Sequence, residues 1–421
     1  MTRNPARTLL RLLPAAAVLL SLAACGGSGG NSADPAQTAL QQPLPEGAIP
    51  FDFAHHLWFE ATVDDSLRCN LIFDTGDTFL FLDSAFYATR VGPVSSLPDI
   101  SLQGVGNGSA KMKADFGRCH TCRIGDVSDT TSTLTIVGDL RRIMGYRADG
   151  IFGMEFMQGR KAEFNFSRRY LRLLPDDRQP DSTYTRLGSG WLSDERSRLR
   201  VPLRLRVGEE VVEGDFLLDM GCGSGLILTS AAAREHRLDE HTPRGYEYHA
   251  RSSGLGSERA SRIFVADSLG IGPWRLSRIE AEFSRDESGA LGGKQPYIGL
   301  LGMAVLSRFD LIIDFASGEM WLRPGREFDA EPPRYGSRIS LTDRRDICDG
   351  WIVSGFIEGC PAREAGLDYG DTILRVNGRS PQEFPDDEWE RMLSQPGPLT
   401  LTVKRGEGTQ RIESRMMETP Y

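Results

Sequence analysis

Two short stretches, Phe73-Asp74-Thr75-Gly76 and Leu218-Asp219-Met220-Gly221, decide how this chain is read. Each sets an Asp-X-Gly directly behind an apolar run, residues 67–73 in one case and 211–218 in the other. Each run is preceded, across a polar turn, by a second one: residues 57–63 before Asp64-Asp65, and 201–207 before Gly208-Glu209. Val201, Leu203, Leu205 and Val207 alternate with Pro202, Arg204 and Arg206, the period-two pattern of a half-buried strand. A glycine two places past the Asp allows a tight turn that presents the carboxylate.

Outward from these stretches the same landmarks recur in the same order. Gly104-Val105-Gly106 and Gly254-Leu255-Gly256 come next, then Ile151-Phe152-Gly153-Met154 and Leu300-Leu301-Gly302-Met303. Phe166 and Phe315 each stand thirteen residues after Gly153 and Gly302. The two copies of the Asp, of the Gly-X-Gly centre and of the later glycine are separated by 145, 150 and 149 residues. A near-constant offset over ordered landmarks is the signature of an internal duplication. Polar stretches at 175–200 and 324–336 divide the body into residues 51–175, 200–324 and 336–421.

The repeated set resembles the retropepsin-like aspartic proteases over roughly residues 57–324, with Asp149-Gly150-Ile151-Phe152-Gly153 especially close to the family pattern. The resemblance implies a mainly β fold: two retropepsin-like β-barrel lobes, 51–175 and 200–324, related by a pseudo-two-fold so that Asp74 and Asp219 face each other. Thr75, Gly76, Met220 and Gly221 would form the active-site loops. Gly104, Val105 and Gly106, with Gly254, Leu255 and Gly256, would form flaps that close over an extended peptide. Ile151, Phe152 and Gly153, with Leu300, Leu301 and Gly302, would support the loops from beneath.

The chemistry explains the pairing. Two carboxylates about 3 Å apart cannot both ionise comfortably, so they share one proton and titrate as a pair. The ionised member takes a proton from water while the protonated member polarises the scissile carbonyl. The expected function is therefore aspartic endopeptidase activity on extended polypeptides, with no metal or cofactor. The pattern departs from the family at Met220, where a Thr or Ser hydroxyl ties the two loops together. Asp77 and Cys222 follow the two glycines where the family has small residues. A charge on Asp77 facing the pair would raise its pKa values.

The last block carries Gly350-Trp351-Ile352-Val353-Ser354, Cys360-Pro361-Ala362, Ala365-Gly366-Leu367, Gly370-Asp371-Thr372-Ile373-Leu374 and Val376-Asn377-Gly378. This set resembles a PDZ domain, an α+β module, over residues 336–421. Such domains accept a peptide as an added strand. The resemblance places the groove between Gly350, Trp351, Ile352 and Val353 and a helix near 386–393, with a C-terminal peptide as the possible ligand. Asn377-Gly378 is a hairpin-turn signal, followed by a strand at 399–404. The alternative to an enzyme is a catalytically silent scaffold that holds peptides in its cleft and PDZ groove.

Ahead of the body, Arg3, Arg7 and Arg11 precede an apolar stretch at 12–22, too short to span a bilayer comfortably. Leu22-Ala23-Ala24-Cys25, followed by Gly26-Gly27-Ser28-Gly29-Gly30, resembles the lipobox of bacterial lipoproteins. That resemblance implies a signal peptide over 1–24, lipidation of Cys25, a flexible tether over 25–50, and a membrane-anchored place in the bacterial cell envelope, periplasmic or at the outer membrane. An ordinary signal peptide with an incidental Cys is the alternative. The formal net charge of −9, with no basic run in the body, argues against a nucleic-acid partner. Cys69, Cys119, Cys122, Cys222, Cys348 and Cys360 remain. An exported location permits disulfides. Cys119 and Cys122 read as a small disulfide loop, half a metal site, or two unrelated thiols; a zinc site usually wants four ligands. His55-His56, with no partner cluster, reads as a surface pair.

Overall fold

In a computed structural model the described residues are 43–131, 134–193, 196–251, 255–256, 258–384 and 392–419. The lipobox, Cys25 and the tether as far as residue 42 lie outside them, as do Gly254 and residues 386–391 of the expected PDZ helix. The fold is mainly β, with 47% strand and 12% helix. Among the described residues no helix is long and apolar enough to cross a membrane.

The alternation read in the sequence becomes burial. In the first block, strands β1 (His56–Val63), β2 (Leu67–Phe73), β3 (Leu80–Asp83) and β4 (Gly150–Phe152) belong to one sheet. In the second block, β5 (Leu199–Val207) buries Leu199, Val201, Leu203, Leu205 and Val207 and exposes Pro202, Arg204 and Arg206. It pairs antiparallel with β6 (Glu210–Leu218), and β7 (Leu226–Leu228) follows. The hairpin β8 (Tyr246–Arg251) and β9 (Glu258–Ile271) precedes β10 (Trp274–Ser284) and β11 (Gly299–Leu301).

The duplication extends to strand pairing. β4 lies parallel to β2, with Ile151 opposite Ile72 and Phe152 opposite Phe73, and antiparallel to β3. β11 repeats this: it is parallel to β6, with Leu300 opposite Leu217 and Leu301 opposite Leu218, and antiparallel to β7. Successive side chains of a strand point to opposite faces. Leu71, Phe73, Phe152, Phe216, Leu218 and Leu301 therefore enter one core that runs through both blocks. Ile72 and Ile151 join a separate apolar cluster with Trp58, Phe81 and Met112, and Leu217 and Leu300 join another with Ile227, Leu291 and Tyr297.

A six-stranded sheet ties the blocks together. Lys161–Asn165 of the first pairs antiparallel with Phe309–Asp314 of the second, Ala162 opposite Ile313 and Phe164 opposite Leu311. The stretch at 175–200, expected as a linker, is woven into the fold. Thr185–Arg186 pairs with Trp321 and Leu322, and Gly190–Trp191 pairs with Leu199 and Arg200. Polar composition concealed these strands because both are only two residues long, Thr185–Arg186 exposed and Gly190–Trp191 half-buried.

The last block has its own core around Trp351, Val353, Ile373, Leu401 and Val403. Its strands include β12 (Ile339–Asp343), β13 (Trp351–Ile357), Thr372–Val376, Pro398–Arg405 and Gly408–Arg415. Asn377 and Gly378 both take positive φ in the tight turn their sequence signals. β13 also pairs antiparallel with β8, Tyr248 opposite Ile357 and Ala250 opposite Gly355, so one sheet runs from the second block into the third. The cysteines of the described residues are all free thiols, and no group of three or more His, Cys, Asp or Glu among those residues is placed to hold a metal ion.

Candidate active site

The two Asp-X-Gly loops are built alike. The amide of Asp74 donates to Phe152 O at 3.2 Å and that of Asp219 to Leu301 O at 3.0 Å, so each loop rests on its apolar-apolar-Gly segment. The short helix after each glycine donates back into the loop: Met154 N to Asp77 O at 2.9 Å and Met303 N to Cys222 O at 2.8 Å. A Cβ on Gly302 would fall 2.2 Å from Ser224 O, so the close approach needs glycine there.

The loops meet. Gly76 N and Gly221 N, one from each loop, donate to Asp74 Oδ1 at 2.6 and 3.1 Å. The point where Gly76 would carry a Cβ lies 3.0 Å from Asp219 Oδ1 and 3.1 Å from Asp74 Oδ1. Cys222 N donates to Asp219 O at 3.2 Å, and the nearby Cys222 and Gly221 amides and the Asp74 side chain favour the ionised form of Asp219. Burial is the largest influence on both carboxyls and raises both. Asp74 is raised further by the charges of Asp219 and then Asp77. The amides and Asp74 restrain the rise at Asp219. The two carboxyls therefore titrate as a pair that holds one shared proton.

Thr75 Oγ1, fully buried, donates to Leu218 O at 2.8 Å and accepts from Met220 N at 3.0 Å. Both capacities of the hydroxyl are met without a reciprocal hydroxyl. Met220 is also fully buried and packs into the common core, so packing replaces the missing half of the tie. Asp77 accepts from Thr78 N at 2.7 Å and Phe79 N at 3.4 Å, and its charge acts on Asp74 as the sequence suggested.

The Gly-X-Gly segments also converge. Gly256 N donates to Val105 O at 2.9 Å, and Asn107 N to Glu258 O at 2.9 Å. The tips cross over. Val105 packs on the second block's cluster around Leu217, Ile227 and Leu300, and Leu255 on the first block's around Ile72, Phe81 and Ile151. Gly104 accepts from Ala290 N.

Three contributors were invisible in the sequence. Arg198, exposed in the stretch read as a linker, exerts a favourable charge on Asp77, Asp219 and Tyr297. Glu282 and Arg259 form a buried ion pair at 2.5 Å, and Glu282 accepts from Ser224 Oγ at 2.8 Å, bracing the second loop from behind. His56 is not the surface residue expected. Its Nδ1 is sealed without a hydrogen-bond partner, and its Cε1 lies 3.5 Å from the Cβ position of Gly223. No sequence pattern flags these residues, because each acts through a contact distant along the chain.

The groove expected on Gly350, Trp351, Ile352 and Val353 needs correction. One edge of β13 is taken by β12, and the other by Thr372–Val376 at one end and β8 at the other. Trp351 is buried against Phe384. An added strand needs an open edge, and among the described residues that edge belongs to β12. Arg344 N donates to Gly350 O and Arg338 O accepts from Ile357 N, so these residues face β13. By strand alternation Ile339, Leu341 and Asp343 face outward.

No curated protein matches the chain. A family model described as a PDZ domain matches residues 352–405, which include most of β13 and the strands Thr372–Val376 and Pro398–Arg405. The chain therefore carries a PDZ domain behind its duplicated β body, and that domain suggests a peptide-binding role.

Proposed function

We propose that the protein is an aspartic endopeptidase of the retropepsin-like kind, two-lobed on one chain, acting on extended polypeptides at the bacterial cell envelope. The observation that carries this is the approach of Asp74 and Asp219 at the meeting point of two equivalently built loops, where a glycine amide of each loop donates to Asp74 Oδ1. In the proposed reaction water attacks the scissile carbonyl carbon. The ionised member of the pair Asp74 and Asp219 takes the water proton, and the protonated member lends its proton to the carbonyl oxygen. As the tetrahedral intermediate collapses, the C–N bond breaks, the nitrogen takes the proton held by the pair, and a hydroxyl of the intermediate returns its proton to the pair, so that one shared proton remains. Val105 and Leu255 would lift from their walls to admit substrate and close again to exclude water. The PDZ domain would take a C-terminal peptide on the open edge of β12, and lipid on Cys25 would hold the protein at the membrane.

A second reading rests on the seating of those flap tips. With Val105 and Leu255 packed on the two walls, the cleft would act as a closed scaffold that binds without cutting. One experiment separates the two. Native chain and Asp74→Asn are incubated with a peptide mixture from about pH 3 to pH 8, a span that covers shifted carboxyls, and products are read by mass spectrometry. Cleavage by the native chain alone is expected. No cleavage by either chain at any pH would leave the scaffold reading.

A further inference from the structure

A bulge interrupts the strand ladder of the PDZ domain. Ser340 pairs with Gly355 and Leu341 with Val353, so Ser354 is an extra residue between the two pairs. On the other edge of β13, the strand Thr372–Val376 reaches Trp351 and Ile352, Asp371 O and Gly370 N close on Val353, and β8 takes over at Gly355. Ser354 therefore stands where neighbouring strands part, and a cavity of ≈ 260 Å³ lies beside it. Bulges are over-represented next to functional sites, because they end pairing and re-aim side chains.

Three arginines line this cavity, one from each block: Arg142, Arg251 and Arg344. No acidic side chain lines it. Arg344 is largely buried, with Nε 3.2 Å from Asp346 and a terminal nitrogen 4.0 Å from Asp139. Arg251 lies 4.5 Å over the Tyr369 ring, and its nearest carboxylate is the exposed Glu258 at 3.8 Å. Arg142 is half-buried, and among the described residues its guanidinium has no carboxylate partner; Asp139 accepts only from its backbone N–H, at 3.2 Å. Gathering like charges is unfavourable, the more notable in a chain of net charge −9. A concave site lined by one sign of charge concentrates ligands of the opposite sign.

The ligand chemistry follows from the wall. A guanidinium fork matches a carboxylate through two parallel hydrogen bonds. Ile352 and the Tyr369 ring offer apolar surface that a short hydrocarbon arm covers and a bare oxyanion does not. Arg251 is the last residue of β8, three before the Gly254-Leu255-Gly256 segment, so a chain held here lies beside the root of a flap. We propose that this cavity is an anionic subsite, built jointly by all three blocks, for a glutamate side chain of a bound polypeptide. It does not depend on cleavage by Asp74 and Asp219, and it gives the molecule a preference for acidic segments that no block has alone.

The test uses the full chain carrying Asp74→Asn, so that any cleavage cannot consume the probe. Rhodamine-labelled, C-terminally amidated Ala/Ser nonapeptides with one Glu or one Gln scanned along them are titrated by fluorescence anisotropy at about 50 mM salt, where charges are weakly screened. At one register Glu should bind about tenfold more tightly than Gln, the worth of one charge-assisted contact. Arg142→Gln and Arg251→Gln, each with an unchanged circular dichroism spectrum, should each remove most of that preference. Arg411→Gln, an exposed arginine on the strand Gly408–Arg415, should keep it. Equal binding of Glu and Gln peptides by the parent chain would overturn the proposal; calorimetric binding of inorganic phosphate that is lost in Arg142→Gln would then assign the arginines to a free oxyanion. A preference that survives both Arg142→Gln and Arg251→Gln would also overturn it. So would an equal loss in Arg411→Gln, which would reduce the effect to net charge.

Discussion

Asp77 sits where its charge reaches Asp74 without replacing any of its hydrogen bonds, which makes it a handle on pH dependence. The singly protonated pair exists between the lower and the upper pKa of the dyad. Burial first of all raises both carboxyls, Asp219 to about 6, and the charges of Asp219 and then Asp77 raise Asp74 further. Proteolysis should therefore rise through about pH 6 and fall only at more alkaline pH. Removing the negative charge of Asp77 favours ionisation of Asp74, so its pKa falls. In Asp77→Asn, which keeps an acceptor for Thr78 N, the alkaline limb of kcat/KM should shift to lower pH. A limb that stays or moves upward would show that Asp77 does not act on the pair. Met220 poses the opposite question, whether the absent hydroxyl can be restored. Met220→Thr offers about 1 kcal/mol for a new hydrogen bond but forfeits buried packing worth about 2–4 kcal/mol. Packing wins, and the variant should lose about 1–3 kcal/mol in denaturant unfolding rather than gain stability.

At the scale of elements, the second Asp loop depends on a brace that the first lacks. Glu282, on β10, accepts from Ser224 Oγ, Ser261 Oγ and Arg259. Glu282→Gln would leave the buried guanidinium of Arg259 without its counter-charge. Breaking one side of a buried pair costs about 3–5 kcal/mol, so a melting temperature lowered by several degrees is expected in calorimetry. This contrast marks what could be read beforehand. Asp-X-Gly, Gly-X-Gly and apolar-apolar-Gly were legible because backbone geometry requires those residue types at those spacings. The alternation of β5 was legible because burial has the period of the strand. Ser224, Arg259 and Glu282 were not, since their partnership spans 58 residues and leaves no local pattern. The open edge of β12 was misplaced onto β13 for a related reason: which edge of a strand is free depends on its neighbours. Thr342 and Ile352 pair across that boundary, yet no feature of either residue announces it.

Over the whole molecule, the PDZ domain is not an appended unit. β8 leads into the Gly254-Leu255-Gly256 segment and pairs with β13, while Tyr369 Oη donates to His249 O at 3.3 Å and Arg251 lies over the Tyr369 ring. A chain ending at residue 330 should expose the edge of β8 at Tyr248, His249 and Ala250. Hydrogen exchange at 247–251 should then accelerate by at least tenfold, and raw sheet edges of this kind promote association. Unchanged exchange at these positions would mean that β8 is held by its own hairpin alone.

The six-stranded sheet that joins Lys161–Asn165 to Phe309–Asp314 has a consequence for dilution. Where two identical halves must find each other, the assembled fraction falls with protein concentration. Here the halves are covalently linked, so the meeting of Asp74 and Asp219 is a unimolecular event whose extent does not depend on how scarce the protein is. Tethering also frees the halves from sameness: a hydroxyl at Thr75 and a thioether at Met220 can coexist because each copy of the loop is encoded once and mutates by itself.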